Sequence, residues 1–247
     1  MTVRAEIRPS YSDNSREILR SPVRLSLAGL QLLRAARTPT MLVAFTDPAR
    51  NSMKRRKQAF NEERIGNYIA QSASIIFTLE NQLPTIHRIV SLALATLKRG
   101  NKILTCGNGG SAAEAMHLAE ELTGKYNKPR RALPAICLCS DASAMTCIAN
   151  DWDFTFVFSR QVEAFAQKGD LLIMFTTSGN SANCIRAAHA MKKAGGKTIG
   201  LLGKDGGKAK PLCDLALVVD SQHTNHIQEA HQVLLHLMLE AIDGEFA

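Results

Sequence analysis

No stretch of this chain reaches the roughly 18 unbroken apolar residues that a membrane span requires. The mixed segment from Leu25 to Phe45 is broken by Arg34, Arg37 and Pro39, and those charges also spoil the apolar core of a secretory signal. Paired C-x-x-C motifs are missing as well. The six cysteines stand at 106, 137, 139, 147, 184 and 213, with Cys137 and Cys139 two apart in one strand-like run. Without paired spacing or a secretion signal they read as reduced, mostly buried thiols, not as a zinc ribbon or a disulfide framework. Neither a Walker A lysine pattern nor G-x-G-x-x-G occurs, which counts against nucleoside triphosphates and dinucleotides. Internal repeats and low-complexity tracts are absent too.

Basic charge is confined to one end. Residues 1–57 hold 12 Lys+Arg against 4 Asp+Glu, which leaves 18 of each for residues 58–247. The alkaline pI therefore describes a leader, and the neutral body offers no basic face for nucleic acid. Three readings of residues 1–57 stand side by side: a disordered leader, an organelle transit peptide by composition, or a start assigned too early, with translation opening at Met53 just before Lys54-Arg55-Arg56-Lys57. Residues 58–247 are expected to form the folded domain, long enough for one α/β unit with an ample core.

Within that body, apolar residues recur at helical spacing from about Arg64 to Arg99, with a break near Pro84, predicting two helices. Short apolar strands are expected at 102–106, 134–139, 171–176, 197–202 and 215–220. Helical patterns lie between them near 111–123, 142–150, 154–167 and 181–194, and a last one runs from about 226 to 243. Alternation of this kind predicts a five-stranded parallel sheet sandwiched by helices. In such sheets ligands bind outside the carboxyl ends of the strands.

Two hydroxyl-rich loops fall on that edge. Cys106-Gly107-Asn108-Gly109-Gly110-Ser111 follows the first strand, and Thr176-Thr177-Ser178-Gly179-Asn180-Ser181 follows the third. Glycines permit φ > 0 and close approach, and the first N–H groups of a helix lack internal partners, so each loop is suited to an anion. Ser111 is expected at the N-cap. Two such loops at two strand ends suggest a single phosphate. The turn Lys204-Asp205-Gly206-Gly207-Lys208 is read as a tight turn, not a phosphate site.

His117 and Glu121 stand four apart on the helix opened by the first loop, so they share a face and can share a divalent metal or a proton. The final helix adds Gln228, Glu229, His231 and His236, functional side chains set in an apolar stripe. A histidine among leucines is also a common core residue, so the second set is read together with the first.

Taken together, Cys106-Gly-Asn-Gly-Gly-Ser111, Met116-His117 through Glu120-Glu121-Leu122-Thr123-Gly124, Asn150-Asp151, Thr177-Ser178-Gly179-Asn180-Ser181 and Ile227-Gln228-Glu229 resemble the phosphoheptose isomerase family of the sugar isomerase (SIS) fold. Five segments agree in order over about residues 60–243. The resemblance implies a flavodoxin-like three-layer fold with extra N-terminal helices for oligomerisation. It also implies isomerisation of sedoheptulose 7-phosphate to D-glycero-D-manno-heptose 7-phosphate, the entry to ADP-heptose and lipopolysaccharide core synthesis. Members of the family are cytoplasmic homotetramers with zinc in sites at subunit interfaces, and neither nucleic acid nor membrane is implied as a partner. Carried over by motif, His117, Glu121, Gln228 and His236 fall on the metal-ligand positions. Ser111, Thr176, Thr177, Ser178 and Ser181 fall on phosphate-binding positions, and Asn108, Gly109, Gly110, Asn150 and Asp151 on substrate-contacting ones. Glu121 and His236 match the acid/base pair.

Gln228 and His236 are eight residues apart, roughly 12 Å along a regular helix. One ion can therefore engage both only if the helix is distorted near Gln228 or if neighbouring subunits contribute different ligands; the second option makes assembly a condition of activity. Three positions depart from the family pattern: Lys125 where Arg is usual, His226 where Arg precedes Ile-Gln-Glu, and Thr176 where Ser is common. A related SIS protein without enzymatic activity, which binds the bacterial replication initiator, is the rival reading. Retention of His117, Glu121, Gln228 and His236 favours the enzyme. A sugar-phosphate-sensing regulator would need a DNA-reading helix-turn-helix, and nothing here resembles one.

Overall fold

The computed structural model describes residues 60–247. The leader expected over residues 1–57 lies outside the described residues. Two helices open the domain, α1 (Glu62–Phe77) and α2 (Leu83–Lys98), joined by a 3₁₀ turn over Thr78–Gln82. Asn61 caps α1 by accepting from Arg64 N at 3.0 Å, and Pro84 lies in the first turn of α2, where its missing N–H costs nothing. Then follow β1 (Ile103–Gly107), α3 (Gly110–Thr123), β2 (Ala135–Cys137), α4 (Ala142–Asp151), α5 (Ser159–Phe165), β3 (Leu171–Thr176), α6 (Ala182–Lys193), β4 (Lys197–Gly203), β5 (Leu215–Val219) and α7 (Thr224–Phe246).

The five strands form one parallel sheet in the order β2-β1-β3-β4-β5. Every residue of β3, the central strand, is buried. Period-two alternation sorts its side chains: Leu171, Ile173 and Phe175 enter a core shared with α2, α3 and α7, while Leu172 and Met174 enter a second core shared with α5 and α6. That double coverage is why the strands read as unbroken apolar runs. Among the described residues no helix is long and apolar enough to cross a membrane.

Two expected elements are shorter than their apolar patterns. The strand expected over 134–139 stops at Cys137 because the chain turns there, Ser140 N donating to Cys137 O at 3.3 Å. The helix expected over 154–167 divides into a 3₁₀ turn at Phe154–Phe156 and α5. Asp153 caps the turn by accepting from Thr155 N at 2.8 Å.

At the opposite edge from the ligand loops, Asp170 fixes the starts of β1 and β3. Its carboxylate accepts from Lys102 N (3.0 Å), Gln167 N (2.8 Å) and Asn101 Nδ2 (3.2 Å), and it meets Lys102 Nζ at 2.6 Å. Burial pushes this carboxyl up, but the Lys102 ammonium and the backbone donors outweigh it and hold the group below the usual carboxylate range.

Candidate functional site

The strand order reverses between β1 and β3, so the loops leaving their carboxyl ends lie side by side at the topological switch point. In the first loop Gly109 adopts φ 57 and ψ −122, and its carbonyl accepts the first helical bonds, from Ala112 N at 3.0 Å and Ala113 N at 3.3 Å. The N-cap of α3 is therefore Gly109, and the expectation for Ser111 is corrected. Left-handed backbone at Gly109 starts the helix two residues earlier, which puts Ser111 in the first turn, buried, with its hydroxyl accepting from Gln228 Nε2 at 3.5 Å. Gly110 is packed more tightly still: a Cβ there would land on the Gln228 carboxamide. Residue 110 must lack a side chain for Gln228 to lie against the loop.

In the second loop Thr176 Oγ1 and Ser181 Oγ are 3.3 Å apart, and Ser178 Oγ accepts from Asn180 N at 3.1 Å. The turn after β4 braces it, with Ala209 N donating to Gly179 O (2.8 Å) and Lys208 N to Asn180 Oδ1 (3.1 Å). A reciprocal amide pair locks the two loops together: Asn108 Nδ2 donates to Asn183 Oδ1 at 2.9 Å, and Asn183 Nδ2 to Asn108 Oδ1 at 2.8 Å. The two loops thus bring together two helix N-termini, those of α3 and α6, with the hydroxyls of Ser111, Thr176, Ser178 and Ser181 on them. Backbone N–H groups and helix dipoles of this kind hold a phosphate without a cation.

Helices α3 and α7 run in parallel away from that point and enclose a groove of about 530 Å³ lined by Gly110, Glu114, His117, Gln228, Gln232 and His236. At its far end His117 Nε2 lies 3.5 Å from Glu121 Oε1, and the His117 and His236 rings meet edge to face with centroids 5.3 Å apart. Gln232 stands between the imidazoles, its Nε2 donating to His117 Nδ1 at 2.7 Å and to His236 Nε2 at 3.3 Å. Tyr126 stacks on His236 with centroids 6.0 Å apart. The ligand atoms of His117, Glu120 and Glu121 all lie within 4.8 Å of one another. Two imidazoles, carboxylates and an amide form the mixed nitrogen and oxygen set that suits a divalent ion such as zinc.

Arg130 holds the end of α3 in register with α7. Its guanidinium donates to the carbonyls of Glu121 (2.6 Å) and Leu122 (3.0 Å) and to Asp243 Oδ1 (2.9 Å), which places positive charge at the negative end of the helix. Glu114 is buried, with neither carboxylate oxygen hydrogen bonded, and stands 3.9 Å from Nδ1 of the fully buried His231. His231 itself is a core residue whose Nε2 meets Leu202 O at 3.1 Å. Glu229 faces the other way, accepting from Tyr68 Oη (2.6 Å) and pairing with His226 Nδ1 (2.8 Å), so both residues tie α7 to α1. Burial pushes the Glu229 carboxyl up, but hydrogen bonds from Tyr68, Ser72 and His226 prevail and hold it low.

The residues expected from sequence divide into three groups. His117, Glu121 and His236 come together at one end of the groove. Gln228 lines the same groove at its other end, against Gly110 and Ser111, and α7 is unbroken between Gln228 and His236. Asn150 and Asp151 close the end of α4, bonded to each other (2.9 Å), and do not line this groove. Sequence reasoning missed Gln232, Asn183 and Arg130. Only Gln232 left a signal, its i, i+4 spacing to His236 on the face shared with Gln228.

A parallel sheet with a phosphate cradle at its switch point and an imidazole/carboxylate groove one helix away defines a sugar-phosphate-binding α/β domain. In agreement, the SIS domain family matches residues 67–203. The phosphoheptose isomerase of Aliarcobacter butzleri is 50% identical over 183 residues, 74% of this chain and 97% of the relative. That of Nitratiruptor is 55% identical over 155 residues, 63% of this chain and 83% of the relative. The solved phosphoheptose isomerase of Neisseria gonorrhoeae superposes with a TM-score of 0.69 at 41% identity, covering 74% of this chain and 98% of that one. The chain belongs to the phosphoheptose isomerase family of SIS-domain proteins.

Proposed function

We propose that this protein interconverts sedoheptulose 7-phosphate and D-glycero-D-manno-heptose 7-phosphate, an aldose–ketose isomerisation feeding ADP-heptose and lipopolysaccharide core synthesis. The observation that carries the reading is the meeting of Glu121, His117 and His236 on helices that begin at the phosphate cradle, in a chain whose relatives bear that enzyme's name.

The reaction moves two protons. Glu121 takes the proton from C1 of the ketose, the C2 carbonyl oxygen gains negative charge as the enediolate forms, and a proton returns at C2 while the C1 oxygen becomes the new carbonyl. His236 carries protons between the two oxygens, and Gln232 orients its ring. Ser111, Thr176, Thr177, Ser178 and Ser181 bind the phosphate; Asn108, Gly109 and Gly110 shape its approach. His117, Glu121 and His236 would hold zinc, with Gln228 reaching that ion from a neighbouring subunit, and the ion would supply polarisation of the carbonyl and stabilise charge on the enediolate.

We assign the protein to a cytoplasmic homotetramer. Supporting this, α1 buries none of its residues in the single chain and exposes Phe60, Ile65, Ile69 and Phe77 around it. Asn150 and Asp151, which lie outside their own groove, are assigned to the substrate in a neighbouring subunit's groove. The direct test is conversion of sedoheptulose 7-phosphate by the purified full chain, with and without a chelator. Glu121→Gln is expected to lower kcat by about 10²- to 10⁴-fold. A chain that isomerises related sugar phosphates but not this one would keep the reaction class and reject the heptose assignment.

A further inference from the structure

At the end of β2 the chain folds back on itself. Ser140 donates to Cys137 O from both its N–H (3.3 Å) and its hydroxyl (2.7 Å), and Leu138 is buried between. The turn brings residue 139 over residue 137, so that Cys139 N donates to Cys137 Sγ at 3.4 Å. Cys139 Sγ donates in turn to Gly107 O at 3.3 Å, the last carbonyl of β1. Cys137 is half-buried and opens onto a groove of about 680 Å³ shared with Met116, Thr123 and Ser140.

We propose that Cys137 and Cys139 form a redox-active dithiol, oxidised reversibly to a disulfide by a hydroperoxide and linked through Gly107 to the phosphate loop. In the first step the Cys137 thiolate attacks hydrogen peroxide, an S–O bond forms as the O–O bond breaks, and the departing hydroxide is protonated to water. In the second, the Cys139 sulfur attacks the Cys137 sulfenic acid, an S–S bond forms as the S–O bond breaks, and the thiol proton leaves with the hydroxide as a second water. The two sulfurs lose two electrons and the peroxide gains them.

The surroundings choose the attacking sulfur. Contact with Cys139, joined by Thr105 and Ser140, outweighs burial and lowers the Cys137 thiol to about 6, whereas Cys139 is pushed up by the same contact. Elsewhere, Cys106 is raised by its contact with Cys184, Cys147 by Asp151, and Cys213 is pushed up by burial to about 12. Thiolate character is thus concentrated at one sulfur with a resolving partner beside it. Two cysteines separated by one residue close a small, strained ring, so the disulfide is readily reduced by a dithiol. Closing it removes the S–H that Gly107 O accepts.

Trypsin releases residues 132–160 as one peptide carrying Cys137, Cys139 and Cys147, which supplies an internal control. The full chain is treated with hydrogen peroxide, blocked with N-ethylmaleimide and digested. The expected peptide carries one maleimide, on Cys147, and has lost two hydrogens; dithiothreitol before blocking restores three maleimides. Oxidation of the pair should outrun that of Cys147 by about tenfold. Cys139→Ser should stop at a Cys137 sulfenic acid that dimedone captures. The proposal is overturned if the peptide keeps three maleimides while Cys147 in other molecules oxidises, or if dimedone labels the Cys139→Ser variant elsewhere than Cys137. Because the readout is mass, it stands or fails independently of the isomerase reading.

Discussion

A single methyl group at residue 110 should separate the role of Gln228 from the stability of the fold. In Gly110→Ala the new Cβ falls on the Gln228 carboxamide, closer than real Cβ contacts allow. The obstructing atoms belong to the free end of a flexible side chain, so the conflict is relieved by rotating Gln228 away, not by moving backbone. Residue 110 is the first residue of α3 and has no positive φ, so alanine suits its backbone and gains up to about 1 kcal/mol of helix propensity. Tm should therefore hold or rise by a few degrees, about 2–4 °C per kcal/mol for a domain of this size. Losing a hydrogen bond to a charged ligand costs about 1.5–3 kcal/mol, so kcat/KM should fall about 10- to 150-fold. The methyl could instead strike the phosphate, and a double-mutant cycle separates the two routes. In a Gln228→Ala background the space is vacant, so adding Gly110→Ala should cost nothing more. Full activity in Gly110→Ala, or a further tenfold loss in the double variant, would refute the proposed route through Gln228.

Gln232→Leu removes the amide between His117 and His236 and should lower kcat about tenfold with little change in KM, as loss of an orienting partner does, measured by steady-state kinetics on the folded variant. Asp170→Ala leaves Lys102 without its buried partner and should cost about 3–5 kcal/mol, a fall in Tm of about 10 °C, with activity per folded molecule unchanged. Because the folded carboxyl of Asp170 is held low, its stabilisation is fully present above the unfolded value near 4 and is lost as pH falls through the folded value. In the wild type, unfolding at pH below 4 should therefore show a proton uptake that Asp170→Ala lacks. A mixed oligomer of Asp151→Ala and Glu121→Ala chains should recover part of the activity missing from either alone; no recovery would mean that Asp151 serves its own chain or none.

Much of the fold was legible because buried parallel strands are unbroken apolar runs and each helix carries its period in the sequence. Both glycine loops stood out for the same reason, since φ > 0 and close approach restrict the residue type. The N-cap did not, because Ser111 is a common capping residue while the observed cap depends on the dihedral angles of Gly109. Gln232 was hidden by its setting: glutamine is ordinary on a helix surface, and only the facing of α3 and α7 turns it toward two imidazoles. Asn183 and Arg130 act on residues distant in sequence, 75 positions away for Asn108 and 113 for Asp243, and no local pattern reports such pairing.

The groove combines two difficulties that its geometry resolves together. On the proposed reading it holds a phosphate at one end, yet among the described residues no lysine or arginine lines it and Glu114 does, so binding would depend on neutral donors at the two helix N-termini, with like charges kept apart by distance. Parallel packing of α3 and α7 supplies that distance. On that reading Ser111 and Gln228 mark the phosphate end, His117 and His236 the reacting end, and the intervals of six and eight residues along the two helices correspond to roughly 9 and 12 Å. A seven-carbon sugar phosphate, extended, spans about 10 Å from phosphorus to C1 at roughly 1.2 Å per bond, whereas a triose phosphate spans about half of that. A short substrate anchored in the cradle would fall short of Glu121 and His236, so the length of the groove, set by helical register, selects for a long-chain sugar before any hydroxyl is recognised.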